Sequence, residues 1–127
     1  MIQITDITER VKTLEDALAI TGRPAVPEFA DVPEDLRHYF QAQYKAVVIT
    51  EALNEKWVAD WSNWDEYKWL PWFTYDKASS RVAFGGTDCR YAAAYAGSAS
   101  RLCFRTKALA EYAGRQFEDI YNDLLLK

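Results

Sequence analysis

The chain has 127 residues, half of them apolar and 15% aromatic, with 15 basic and 19 acidic residues and a net charge of −4. That balance fits a single domain over residues 1–127 and excludes disorder, and the net acidity argues against non-specific binding of duplex DNA. No apolar run nears the roughly 20 residues of a membrane helix, and MIQITDITERVK lacks the basic-then-apolar pattern of a leader, so a soluble protein is expected.

Asp6-Ile7-Thr8-Glu9 reads as a capping box, after which Ile7, Val11, Leu14 and Leu18 recur at helical spacing up to Gly22. Thr13 with Asp16 is a second cap, where this helix starts late or breaks. Residues 23–33, RPAVPEFADVP, hold three of the four prolines and read as an extended connector. Val26 and Phe29 are expected to pin it to the body as a packed crossover rather than leave it as a proline-rich recognition segment. Pro33, Glu34 and Asp35 then open a long helix running to about Lys56. Leu36, Phe40, Tyr44, Val47 and Leu53 form its apolar stripe, thickened by Tyr39, Val48 and Ile49. At roughly 35 Å it is the expected spine of the domain.

All five tryptophans fall in Trp57–Tyr75, WVADWSNWDEYKWLPWFTY. Trp57, Trp61 and Trp64 keep helical spacing, but Asp60, Ser62, Asn63 and Asp65 dilute it, which predicts a frayed helix end and a loop. From Tyr67 the period becomes two: Tyr67, Trp69, Pro71, Phe73 and Tyr75 on one face, Lys68, Leu70, Trp72 and Thr74 on the other. Pro71 marks an edge or a bulge. These rings form either a core or a binding surface, and the pattern alone leaves both open.

Residues 76–80 read as a turn and Arg81 to Phe84 as the returning strand, which Gly85-Gly86-Thr87-Asp88 is expected to end. Cys89 to Ser100, CRYAAAYAGSAS, is compatible with a loop, a short strand or a helical turn. Arg101 to Phe104 reads as a further strand, and Thr106 caps a last helix carrying Ala110, Ala113, Phe117, Ile120, Tyr121 and Leu124. Gly114 inside that helix costs about 1 kcal/mol against alanine, so a close backbone contact is expected there, with a tryptophan of the central stretch. The sum is an α+β domain: a small antiparallel β-sheet, a hairpin plus a further strand, packed with three helices including the long central one.

Residues 77–107 carry six basic residues against the single acid Asp88, while the remainder has 9 basic and 18 acidic residues. An acidic body therefore bears one basic segment. Arg105, Thr106 and Lys107 stand at the expected start of the last helix, where free N–H groups favour anions. With Arg101, Arg90 and Tyr91, and with Trp69, Trp72 or Tyr95 as stacking rings, they make a candidate site for a phosphorylated, ring-bearing ligand. The competing reading pairs these arginines with the acidic body.

No catalytic or metal-ligating residue is assigned and no cofactor is expected. His38 is the sole imidazole and has no evident partner. Cys89 and Cys103 lack metal spacing and read as buried thiols. Asp60, Asp65 and Glu66 beside tryptophans are the one arrangement that would suit a small hydrolase.

ALNEKWVADWSNWDEYKWLPWF at 52–73 and SRLCFRTKALAEYAGRQFEDIYNDL at 100–124 resemble a family of small uncharacterised proteins of phages and prophages of the Bacteroides group. That family has no known activity, so the resemblance carries over no site residue. It implies a phage-associated protein acting in the cytoplasm of a bacterial host. The first expectation is an accessory binding protein without enzymatic activity, whose target is an acidic host protein or a nucleotide-like anion. A structural or assembly protein working by self-association, with a homodimer as the starting assumption, and a small hydrolase are the alternatives.

Overall fold

A computed structural model describes residues 6–91, 93–95 and 99–127. Its elements are α1 (Ile7–Arg10), α2 (Leu14–Thr21), α3 (Glu34–Asn54), β1 (Lys68–Asp76), β2 (Arg81–Arg90), a 3-10 turn (Ser100–Leu102), α4 (Lys107–Gln116) and α5 (Glu118–Leu126). This is an α+β fold, a two-stranded antiparallel sheet with helices around a long central one.

The first helix breaks at its second cap. Asp6 accepts the Thr8 N–H and caps α1, while Thr13 and Asp16 form the reciprocal box that starts α2. Gly22 closes α2 in the left-handed region, at φ 70°. The proline connector is tied along its length to α3. Tyr44 donates to the Pro24 carbonyl at 2.6 Å, Arg37 donates to the Val32 and Ala30 carbonyls, and Phe29 packs on Phe40 at 5.9 Å. This is the packed crossover that Val26 and Phe29 predict.

The expected stripe of α3 is realised in its C-terminal half. Val48, Ile49, Ala52 and Leu53 are buried, whereas Leu36 near the start is 43% exposed. They meet Leu109, Ala110 and Ala113 of α4, Phe104, and Ile7 and Val11 of the N-terminal segment in one core.

The sheet corrects several expectations. Gly85 and Gly86 do not end the returning strand; β2 continues to Arg90 through a bulge opposite Trp72 and Phe73. Trp72 lies flat across both glycines, and a Cβ at Gly85 would overlap its ring. The bulge is the chain's way of seating a bulky indole on a strand. Arg101 to Phe104 is not a strand: Ser100–Leu102 is a 3-10 turn, and Phe104 contributes a single bridge to Trp69. In the stretch 89–100, Cys89 and Arg90 belong to β2, and residues 92 and 96–98 lie outside the described residues. The last helix is divided at Phe117. Gly114 does make a close contact, but with Phe84 and Pro71 rather than with a tryptophan.

Candidate functional site

The expected site residues are distributed over several places rather than gathered at one. Arg105, at the foot of α4, donates its backbone N–H to Asn54 and its guanidinium to Glu55. Thr106 is occupied as the cap, accepting the Leu109 N–H at 3.1 Å, and Lys107 is exposed in the first turn of α4. Arg90 pairs with Asp88 at 2.7 Å and lies over the Tyr95 ring at 4.5 Å. Tyr91 meets Tyr67 edge-on at 4.7 Å. Trp69 is partly buried against the core, while Trp72 is 49% exposed on the opposite face of β1. Arg81 is held by Asp119. For Arg81, Arg90 and Arg105, pairing with acids of the same chain accounts for the charge.

Arg101 is the exception. Its exposed side chain makes no hydrogen bond and no close ion pair among the described residues, and it lines a cleft of about 210 Å³ together with Val47, Glu51, Trp57 and Val58. The acid in that cleft is already engaged. Glu51 accepts both the Nε and the Nη2 of Arg23, at 2.9 and 3.0 Å, and this pairing, with a smaller contribution from the charge of Arg101, holds its carboxyl below the ordinary carboxylate range. Arg101 acts on Glu51 through space but makes no hydrogen bond with it.

The backbone that carries Arg101 is fixed on both sides. Trp61 donates its indole N–H to the Ser100 hydroxyl at 2.6 Å. Asn54, buried at the end of α3, donates to the Cys103 carbonyl at 2.8 Å and accepts the Arg105 N–H at 3.0 Å. Both halves of one amide therefore clamp the chain just past the arginine. The approach of an anion to Arg101 needs no rearrangement of the main chain, which is the condition for a preorganised contact.

The deepest polar feature went unread in the sequence. Lys68 is fully buried, and its ammonium donates to the carbonyls of Asn63, Glu66 and Tyr91 at 3.0, 3.1 and 2.9 Å. Trp61 covers it, with the ring centroid 5.1 Å away. This one cation ties the tryptophan loop to the strand end and so positions Trp61, which in turn holds Ser100. A lysine alternating with Leu70 and Trp72 on a strand face was the available signal.

The carboxylates considered for hydrolysis are turn residues. Asp60 accepts the Ser62 hydroxyl and N–H, and these bonds hold its carboxyl below the ordinary carboxylate range. Glu66 accepts the Asp60 N–H at 2.8 Å. No protein-family model, curated protein or solved structure matches the chain. The candidate site therefore stands on its geometry. Cys103 has no accessible surface, and burial pushes its thiol up to about 11, the opposite of an activated nucleophile. His38 lies 3.1 Å from Asp123, between the start of α3 and α5 and away from the cleft residues. Both cysteines are unbridged thiols, Cys103 buried as expected but Cys89 only partly buried at the end of β2. Among the described residues no group of three or more His, Cys, Asp or Glu side chains could hold a metal ion, and no described helix is long and apolar enough to cross a membrane.

Proposed function

We propose that the protein is a non-enzymatic binding protein for a small anion bearing a planar apolar group, a nucleotide-like phosphate ester being the class that fits. Arg101, whose guanidinium has no hydrogen-bonded acid partner among the described residues, lines the Trp57 cleft and supports this reading. The guanidinium fork takes the phosphate, and the indole with Val47 and Val58 takes the ring, a stacking contact of roughly 1–3 kcal/mol. The small volume favours one ring system over a dinucleotide. Taken with the phage-like sequence blocks, the ligand is a molecule of a bacterial host, and the protein acts by holding it.

The test is native mass spectrometry of protein purified from a bacterial host, followed by calorimetric titration with nucleoside monophosphates. A bound anion is expected, with affinity falling at least about tenfold in Arg101→Ala, the loss of one charge-assisted contact. The melting temperature should change little, because Arg101 loses only a through-space attraction to Glu51. Equal binding by Arg101→Ala and the parent protein, or no binding by either, would refute the proposal.

A further inference from the structure

The two edges of the sheet are treated differently. Along an antiparallel strand, hydrogen bonds point inward and outward at alternate residues. Trp69 exchanges both of its backbone bonds with Phe104 on the outer side of β1, at 2.9 and 2.8 Å. Pro71, Phe73 and Tyr75 therefore also face outward. Across the ladder, Phe73 is opposite Phe84 and Tyr75 opposite Val82, which face outward on β2.

On β2 those groups are covered. Asn122 of α5 accepts the Val82 N–H at 2.7 Å and donates back to the Val82 carbonyl at 2.9 Å, imitating a neighbouring strand with one side chain. Glu118 accepts the Phe84 N–H at 3.1 Å. On β1 nothing equivalent exists. Pro71 has no N–H, and the outward N–H and C=O groups of Phe73 and Tyr75 meet no partner among the described residues. Of the guards that proteins place on such an edge, Pro71 and the bulge opposite Trp72 are present, but residues 69–75, WLPWFTY, carry no charge. The edge is also apolar in its surroundings. Leu70, Trp72, Leu102, Leu124 and Leu125 line a groove beside it, and Trp72, Tyr75 and Leu125 are each about half exposed.

We infer that the β1 edge is the interface for a second copy of this chain, joined by antiparallel pairing of β1 with itself about a two-fold axis at Thr74. The edge is self-complementary in that register. Phe73 falls opposite Tyr75 of the second copy and Tyr75 opposite its Phe73, so all four outward groups of each chain are satisfied. A shift by one pair to either side leaves part of them unpaired, because Pro71 offers no N–H and β1 ends at Asp76. Phe104 blocks extension past Trp69. The product is a continuous four-stranded sheet in which both outer edges are the ones sealed by Asn122. Exposed Trp72, Tyr75 and Leu125 of the two copies come together around the new seam, as an isologous interface requires.

The measurement is analytical ultracentrifugation of the full chain at micromolar concentration, with hydrogen exchange of the Phe73 and Tyr75 amides. The parent protein should sediment as a dimer, and those two amides should gain protection as concentration rises. Tyr75→Lys guards the edge, and Tyr75→Pro removes one outward donor while leaving the β1–β2 ladder intact. Both should give a folded monomer with unchanged circular dichroism. Arg101→Ala should remain dimeric, which separates this interface from the anion site. A monomeric parent protein would overturn the inference. So would a dimer that persists in both Tyr75 variants, or an edge filled by an extended strand of another protein.

Discussion

Lys68 has no accessible surface, yet it carries a charge that three carbonyl oxygens, an indole ring and the Glu66 carboxylate at 3.6 Å have to balance. Removing one partner of a buried charge is costlier than never burying it, because the groups left behind lose both water and their donor. Lys68→Met keeps most of the volume and strands the carbonyls of Asn63, Glu66 and Tyr91. We expect a loss of about 3 kcal/mol in urea unfolding, since each bond to a charged donor is worth about 1.5–3 kcal/mol, together with a change in Trp61 fluorescence. A stability equal to the parent's would mean that the loop is held by other contacts. The five tryptophans divide among distinct tasks, which composition alone could not resolve. Trp69 packs on the core, Trp61 covers Lys68, Trp57 walls the cleft, Trp72 lies on two glycines and Trp64 is 73% exposed. Arg101 was legible as a candidate because it sits in a basic run. That its neighbours would pair with acids of the same chain was the competing reading, but which acids was not legible, since Glu55, lying 50 residues before Arg105, becomes its partner only in the folded chain.

Between elements, the decisive contact is α4 against the sheet. Helix propensity favours alanine over Gly114 by about 1 kcal/mol, but a Cβ there would overlap Phe84 and crowd Pro71. Overpacking of a fitted core costs about 1–3 kcal/mol, so the packing effect outweighs the propensity. Gly114→Ala is therefore expected to lower the melting temperature, and pairing it with Phe84→Ala should recover part of the difference, which a double-mutant cycle reads directly. A raised melting temperature for Gly114→Ala alone would show that α4 can move away from the sheet. The element pattern was largely visible in the sequence: both N-terminal caps, the connector, the long helix, the hairpin faces and the Thr106 cap. The misread points share a cause. Gly85-Gly86 carries the usual signature of a strand end, and only the Trp72 ring lying across it shows that the glycines make room instead. The regular stripe of 107–126 hides the break at Phe117, where the helix turns so that Asn122 can reach Val82.

For the molecule as a whole, charge is arranged as local pairs more than as opposed halves. The acidic body meets the basic segment at Arg81–Asp119 and Arg105–Glu55, and Arg23 with Glu51 adds a pair within the body. The buried titratable groups set a limit on the alkaline side. Burial raises the Cys103 thiol from 9.0 to about 11 and raises the hydroxyls of Tyr112 and Tyr121 as well. Above about pH 9 the unfolded thiol gives up its proton while the folded one keeps it, so the unfolded state binds fewer protons and stability falls with rising pH. This contribution is complete below pH 9 and is lost as pH climbs through 11. Urea midpoints measured from pH 8 to 11 should decline, and Cys103→Ala should flatten the first part of that decline. A flat profile in the parent protein would mean that the thiol is accessible. One contact set has a consequence for synthesis. The turn between α1 and α2 is tied to α4, with Tyr112 donating to the Val11 carbonyl at 2.6 Å and Gln116 to that of Lys12 at 2.9 Å. Those partners are separated by 101 and 104 positions. At roughly 5–20 residues per second on a ribosome, the N-terminal helices wait several seconds for α4, with only the α3 side of the core available to Ile7 and Val11 in the meantime. The core is thus completed only near the end of synthesis, when α4 closes over Ile7 and Val11.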